Sequence, residues 1–468
     1  MRTYRIITFG CQMNEHDSEV ISGMLTQRGY MEAAETAGDP DIIIINTCSI
    51  RENADKRFFG TLGQLKKIKA KNPDFVVCVC GCMMQQEHIT TRIRRSYPWV
   101  DVIFGTHNIH EFPDMLQELY DNRAKAAASE PVNAGVSYAV AKHEIRSSRE
   151  TRVDRIYDDA EEIVEGLPAK RLYRHKSFVN IMFGCNNFCA YCIVPYTRGR
   201  EKSRCPEDIL SEVRGLVTDG VKEVTLLGQN VNSYKGEDRS GKQWDFTDLI
   251  YALSDIEGLE RIRFMTSHPK DLSDKLIEAF AKCDKLCNYI HLPVQAGSSD
   301  VLKRMNRKYS REKYLELVRK LREAVPDIAI STDIIVGFPG ETEEDFLQTL
   351  TLAEEVRYDS AFTFLYSPRP GTPAAEYEDQ IPETVKHERF NRLVETMNRI
   401  SAEKNAAYVG KICRVLVDGP DKKARGMLNG RTEEFKLVDF EGPEEITGQM
   451  VDVEITGSNT FSLRGKLK

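Results

Sequence analysis

Three cysteines stand within eight residues in the segment Cys185-Asn186-Asn187-Phe188-Cys189-Ala190-Tyr191-Cys192, directly after an apolar run at residues 178–183. A strand that runs straight into a tight loop can wrap these thiols around one metal centre. The spacing Cys-x3-Cys-x2-Cys supplies three thiolates, one short of the four that usually complete an iron–sulfur cube, so one iron keeps an open position for a substrate or cofactor. The alternatives are a zinc site with a distant fourth ligand or three buried thiols. Structural zinc more often uses Cys-x2-Cys twice.

A second set of cysteines is dispersed but repeats its position. Cys11 follows the run ending at Phe9-Gly10, Cys48 follows Ile45-Asn46-Thr47, and Cys82 follows Cys80-Gly81. In a parallel sheet the carboxyl ends of strands lie along one edge, where loops converge and ligands bind, so three such cysteines can meet in space. Parity does not single out Cys82, because Cys78, Cys80 and Cys82 share one face of their strand; its place at the strand end favours it. The competing reading is that these cysteines act as small hydrophobes in a core, which suits Cys78 and Cys80.

A chain of 468 residues suggests roughly three domains. Apolar runs near residues 4–9, 42–45, 75–80 and 100–104 alternate with helical patterns, which predicts a parallel α/β sheet over 1–121. From Asn122 the periodicity fades, and 122–168 is expected to be a linker or irregular excursion. Six further runs, near residues 178–183, 223–227, 261–265, 289–292, 328–336 and 361–366, predict six βα units over 169–404, an open or partial barrel. A long helical pattern at 382–408 precedes alternating segments in the last stretch, 405–468, that predict a small β-barrel. The longest aliphatic run, Ile42 to Ile45, is far below the ~20 apolar residues that span a bilayer. The amino end lacks the apolar stretch of a secretory signal, so a cytoplasmic address is expected, where clustered cysteines serve metal or redox chemistry rather than disulfides.

At these residues the chain resembles the radical S-adenosylmethionine (SAM) methylthiotransferases. Gly10-Cys11-Gln12-Met13-Asn14, Asn46-Thr47-Cys48-Ser49-Ile50-Arg51-Glu52 and Gly81-Cys82-Met83 match that family's amino-terminal domain, and Cys185–Cys192 matches its radical SAM loop. The wording is most similar to the branch that acts on prenylated adenosine in tRNA. The branches acting on a ribosomal protein or on threonylcarbamoyladenosine carry altered motifs. The resemblance implies two 4Fe–4S clusters: one on Cys185, Cys189 and Cys192 that binds and cleaves SAM, and an auxiliary one on Cys11, Cys48 and Cys82 that carries the sulfur. It implies sulfur insertion and methyl transfer at carbon 2 of N6-dimethylallyladenosine beside the tRNA anticodon, with SAM supplying both the methyl group and the 5′-deoxyadenosyl radical. A reducing electron donor, a sulfur source and a monomeric enzyme are expected with it. No side-chain acid or base is expected, because the chemistry belongs to the clusters. Tyr191 matches the aromatic position that often helps hold the adenine of SAM.

The expected barrel mouth carries Gly228-Gln229-Asn230, Ser267-His268, Gln295-Ala296-Gly297-Ser298 and Gly337-Phe338-Pro339-Gly340-Glu341. Glycine lets backbone approach a ligand and the amides and hydroxyls supply hydrogen bonds, which makes Gly228, Gln229, Gln295 and Ser298 candidate SAM contacts. Glycines Gly337 and Gly340 equally well only shape the turn with Pro339. Between residues 170 and 204, Lys170, Arg171, Arg174, Lys176, Arg198, Arg200, Lys202 and Arg204 face one acid, Glu201, a local basic flank expected to meet an RNA backbone although net charge is −7. The carboxyl-terminal barrel resembles a TRAM domain, an OB-like RNA-binding module. Its aromatics Phe435, Phe440 and Phe461 either stack bases or fill the core, the core being favoured for most.

Overall fold

The computed structural model describes residues 1–34, 38–49, 52–129, 151–158, 163–421, 424 and 426–468. Ile50 and Arg51 of the second cysteine motif therefore lie outside the described residues, as does 130–150 within the expected linker. Two compact units divide the chain: Met1–Leu172 with Phe183–Asn186 and Ile193–Lys202, and Tyr173–Met182 with Asn187–Cys192 and Ser203–Lys468.

The first unit is built on six parallel strands, β1 (Thr3–Thr8), β2 (Met31–Glu32), β3 (Ile42–Thr47), β4 (Val76–Gly81), β5 (Val102–Phe104) and β6 (Val153–Arg155), in the order β2-β1-β3-β4-β5-β6. Strands β3 and β4 are buried along their whole length. Helices cover both faces, which is why these strands are runs of Ile, Val and Cys rather than alternating sequences. Ile43, Ile45, Val77 and Val79 pack against Phe58, Leu62 and Leu65 of helix Glu52–Lys71. Ile42, Ile44, Val76, Cys78 and Cys80 turn to the opposite core with Ile21, Met24 and Leu25 of helix Gln12–Gln27. Cys78 and Cys80 are thus core residues.

The strand order reverses at β1. The chain leaves β1 for β2 on one side, then crosses to β3 on the other. Helix Gln12–Gln27 after β1 and helix Glu52–Lys71 after β3 cover opposite faces, so the connections part at the carboxyl ends of these two strands and leave a crevice. The irregular excursion expected from Asn122 is partly structured. Helix Phe112–Ser129 runs past Asn122, and β6 pairs with β5 in register Val102↔Val153.

In the second unit six parallel strands form an open barrel in two halves. The strands β7 (Lys176–Asn180), β10 (Glu223–Leu227) and β13 (Arg261–Phe264) make one half, with β10 central. The other is β14 (Tyr289–His291), β15 (Ala329–Val336) and β16 (Ser360–Leu365), with β15 central, and a parallel bridge Ile262↔Leu286 lies between the halves. Alternate residues Val224, Leu226, Ile262, Phe264, Ile290, Ile330 and Ile334 face the helices in one large core. Short strands β8 (Met182–Phe183) and β9 (Lys202–Ser203) flank the cysteine loop, and β11 (Lys235–Glu237) pairs with β12 (Gln243–Asp245).

Helix Glu383–Ala406 leads to a closed five-stranded barrel, β17 (Ile412–Pro420), β18 (Met427–Arg431), β19 (Leu437–Glu441), β20 (Met450–Ser458) and β21 (Leu463–Leu467). Its strands touch the amino ends of the larger barrel's strands. Arg261 at the start of β13 donates to the carbonyls of Arg431 (3.0 Å) and Arg414 (2.7 Å). Tyr289 at the start of β14 lies 4.9 Å, centroid to centroid, from Phe435, and Lys176 at the start of β7 pairs with Asp418 at 2.6 Å. The three aromatics divide by role. Phe440 is core, Phe435 sits with φ +66° against Tyr289, and Phe461 is 80% exposed. Among the described residues no helix is long and apolar enough to cross a membrane.

Candidate active site

The switch-point crevice of the first unit holds the dispersed cysteines. Cys11 precedes helix Gln12–Gln27 as its amino-terminal cap residue, Cys48 follows β3, and Cys82 opens a 3₁₀ turn after β4. Gly10 sits at φ +128°, and a Cβ built there would fall 2.6 Å from Cys48 Cβ and 3.1 Å from its Sγ. Only glycine admits Cys48 so close to the turn that carries Cys11. Gly10→Ala is therefore expected to displace Cys48, to cost about 1–3 kcal/mol, and to lower the iron retained after anaerobic reconstitution and desalting. Unchanged melting and iron content would contradict this.

Asparagines weld the crevice together. Asn14 Nδ2 donates to Asn46 Oδ1 (3.2 Å) and to the Thr47 carbonyl (2.7 Å), while Asn46 Nδ2 donates back to the Asn14 carbonyl (2.9 Å). Arg198 enters the same place. Its Nε donates to Cys82 Sγ at 3.2 Å and its Nη2 to Asp17 at 2.7 Å and Asn14 Oδ1 at 3.3 Å, all buried. Burial pushes the Cys82 thiol up, and the Arg198 guanidinium opposes it. Among the described residues no three Cys, His, Asp or Glu side chains converge on one point as a single ion would require. A cluster asks less of them, since each thiolate holds a different iron.

The loop cysteines are fixed by backbone. Cys185 donates its N–H to the Gly199 carbonyl at 3.1 Å. In the second unit the Ala190 N–H binds the Met305 carbonyl and the Ala374 N–H binds the Ala190 carbonyl, both at 2.9 Å. Phe188 adopts φ +47°, and its carbonyl accepts from Asn306 Nδ2 at 2.8 Å. Arg307 donates to Cys189 Sγ at 3.3 Å, to the Pro293 carbonyl at 3.0 Å and to Tyr309 Oη at 2.9 Å. Each cysteine trio therefore has a buried guanidinium on one sulfur. An all-thiol donor set with a cation to balance its charge fits an iron–sulfur cluster.

The expected barrel-mouth residues divide. Tyr191 is half-buried against the barrel core, where burial raises its hydroxyl pKa well above the usual value despite the Arg307 charge. Gly228 faces Met182, whose Cγ would lie 2.4 Å from an added Cβ, so its glycine is a packing requirement; Gln229 beside it is half-buried. Gln295 is buried with φ +72° and is locked to β15 through the Asp333 carbonyl (2.9 Å) and the Ile335 N–H (2.8 Å). Ser298 is occupied otherwise. It caps helix Ser299–Arg304 and donates to Asp345 at 2.5 Å, so its hydroxyl serves the fold. The Gly337–Glu341 segment is a turn shaped by its glycines: Gly337 and Gly340 have φ +74° and +77°, and Glu341 accepts from the Gly337 N–H at 2.7 Å. Burial raises that carboxyl to about 7, against Arg389.

Asn180 and Thr266 escaped the sequence reading, while Asn230 and His268 stood in it as members of the expected barrel mouth. Asn180, which ends β7, and Asn230, beyond β10, are buried with amide oxygens that have no partner among the described residues. Thr266 takes φ +63°, a rare conformation for a β-branched residue and a mark of a constrained site. His268 is held neutral, pushed down to about 2 chiefly by burial and then by Arg307 and Lys270. The basic flank is partly engaged within the chain. Arg198 is sealed against Asp17, Arg204 pairs with Glu212 at 2.7 Å, Lys176 with Asp418 and Lys170 with Glu32, both at 2.6 Å. These four charges are thus paired within the chain, and Arg174 and Arg200 are exposed.

Loop, open barrel and small closed barrel together define a radical SAM enzyme. The Radical SAM superfamily model matches residues 179–353, the Uncharacterized protein family UPF0004 model residues 3–105, and the TRAM domain model residues 406–468. Curated relatives named tRNA-2-methylthio-N(6)-dimethylallyladenosine synthase include one from Clostridium botulinum (strain Loch Maree / Type A3), 53% identical over 98% of this chain and 96% of its own length. Another, from Clostridium perfringens (strain 13 / Type A), is 52% identical over 100% and 98% respectively. The chain belongs to this family of tRNA-2-methylthio-N(6)-dimethylallyladenosine synthases and is a transferase. Its fold is similar to that of the radical S-adenosylmethionine methyltransferase TsrM from Kitasatospora setae, with TM-score 0.53 and 14% identity over 80% of this chain and 74% of that one. Radical SAM membership implies a 4Fe–4S cluster and SAM.

Proposed function

We propose that this chain adds a methylthio group to carbon 2 of N6-dimethylallyladenosine beside the anticodon of tRNA. What supports the reading most is the pair of cysteine trios, each carrying a buried guanidinium on one sulfur, in a chain similar to those relatives over nearly its whole length. When bound, a cluster with SAM at its open iron supplies one-electron cleavage to methionine and a 5′-deoxyadenosyl radical, and a second cluster supplies the sulfur that becomes methylated and transferred.

Cys185, Cys189 and Cys192 would hold the first cluster, and Cys11, Cys48 and Cys82 the second. Carbon 2 of adenine is far too weak an acid for any protein base at neutral pH. The residues of the barrel mouth therefore place groups rather than move protons. Asn180 and Asn230 offer buried acceptor oxygens to the N–H or O–H groups of a seated ligand. Neutral His268 accepts from the Lys270 N–H through Nδ1 at 3.1 Å and packs its ring edge-on to Tyr309, 5.5 Å between centroids, which makes it a wall of that mouth. The carboxyl-terminal barrel and the exposed Arg174 and Arg200 are assigned to the RNA backbone. A one-electron reductant and a sulfur source complete the cycle.

An anaerobic assay with tRNA that carries or lacks the dimethylallyl group tests the substrate. Product is expected only on the prenylated tRNA. Product on a ribosomal protein alone, or equal product on both tRNAs, would overturn the assignment.

A further inference from the structure

We infer that Arg198 is the positioning residue of the Cys11, Cys48 and Cys82 trio, orienting Cys82 and raising the electron affinity of the cluster held there. This rests on the two-cluster reading above. The segment Thr197–Arg200 lies in the first unit and is tied down by its backbone. Thr106 Oγ1 donates to the Thr197 carbonyl at 2.9 Å, and the Gly199 carbonyl receives the Cys185 N–H. Gly184, at φ +76°, permits the close pass, since a Cβ there would lie 2.0 Å from the Arg200 carbonyl oxygen. With its backbone anchored, the Arg198 side chain spans three groups at once: Cys82 Sγ, Asp17 and Asn14. Asn14 and Asp17 stand on the first turns of the helix that Cys11 caps, and the Cys11 thiol points back at Asn14 Oδ1 at 3.5 Å. One planar fork therefore fixes the helix of Cys11 relative to Cys82.

The chemistry follows from the donor. A hydrogen bond and a positive charge on a cluster thiolate stabilise the more negative, reduced state, so such contacts raise reduction potential. The Asp17 carboxylate offsets part of that charge while it holds the fork in plane. Lysine, a point charge on a flexible stem, restores charge without the three-way geometry. Arg307 on Cys189 offers an internal contrast, since among the described residues no carboxylate lies within ion-pair distance of it.

The experiment uses the full chain carrying C185A, C189A and C192A, so that the trio of the first unit alone can retain a cluster. Iron and sulfide are counted after anaerobic reconstitution, and the midpoint potential is read by EPR-monitored titration in this background and with Arg198→Gln or Arg198→Lys added. In the Arg198→Gln variant the midpoint is expected to shift to more negative potential, with a smaller shift for Arg198→Lys. Loss of iron in Arg198→Gln that Arg198→Lys retains supports the same role. A midpoint unchanged or more positive in Arg198→Gln, or equal loss of iron in both variants, overturns the inference. If the parent background itself binds no iron, the two-cluster reading fails instead.

Discussion

Cys189→Ala is expected to abolish SAM cleavage, with 5′-deoxyadenosine falling below detection, whereas Cys48→Ala is expected to cleave SAM at near the wild-type rate and yield no methylthiolated tRNA. The asymmetry follows from where the two thiols sit. Cys189 belongs to the three-thiol loop of the radical SAM barrel and takes the Arg307 hydrogen bond. Cys48 lies at the end of β3, in the crevice where the strand order of the amino-terminal sheet reverses. It is buried against Gly10, so truncation to alanine removes a sulfur with little disturbance of backbone. Quantifying 5′-deoxyadenosine and modified nucleoside from the same reactions separates the two roles. Methylthiolated tRNA made by Cys48→Ala would remove the auxiliary trio from the mechanism.

The largest stability effect is expected at Arg263. The residue is 2% exposed, and its guanidinium lies 3.0 Å from Glu223 and donates to the carbonyls of Thr432 (2.6 Å) and Glu433 (2.7 Å). It thus joins the large barrel to the loop that carries Phe435, whose ring lies 5.1 Å from its charge centre. Arg263→Met would leave a buried carboxylate whose remaining ion-pair partner among the described residues is Arg261, 3.8 Å away, and would take a donor from the carbonyls of Thr432 and Glu433, of which the first keeps the Phe435 N–H at 3.1 Å. Removing one partner of such a pair costs about 3–5 kcal/mol, while removing both costs less. Arg263→Met is expected to melt at a lower temperature, and adding Glu223→Gln is expected to recover part of the loss. A double variant no more stable than the single one would contradict this account.

Much of the architecture was legible because burial on two faces writes long apolar runs. The runs near 42–45 and 75–80 became β3 and β4, and six later runs became the six strands of the open barrel. The strands that escaped are short or polar. β2 has two residues and β6 three, too few for any period, and β18 (Met-Leu-Asn-Gly-Arg) is interrupted by Asn429 and Gly430. At the site, the cysteines declared themselves through spacing and strand-end position. Arg198 did not, because a charge run reads alike whether its members face solvent or a buried Asp17, and the partner lies 181 residues away in the chain. Ser298 reads alike in the sequence for a related reason, since a helix cap and a ligand contact use the same hydroxyl. Asn180 gave no signal, and Asn230 only its place at the barrel mouth, because an unsatisfied amide is visible only once its neighbours are placed.

Iron and sulfide analysis of anaerobically reconstituted protein, combined with Mössbauer spectroscopy, tests the central claim most directly. The account predicts about eight irons and eight sulfides per chain for two cubane clusters, falling to about four when either cysteine trio is replaced by alanine. A wild-type chain that binds only about four irons, all lost on replacing Cys185, Cys189 and Cys192 and none on replacing Cys11, Cys48 and Cys82, would contradict it.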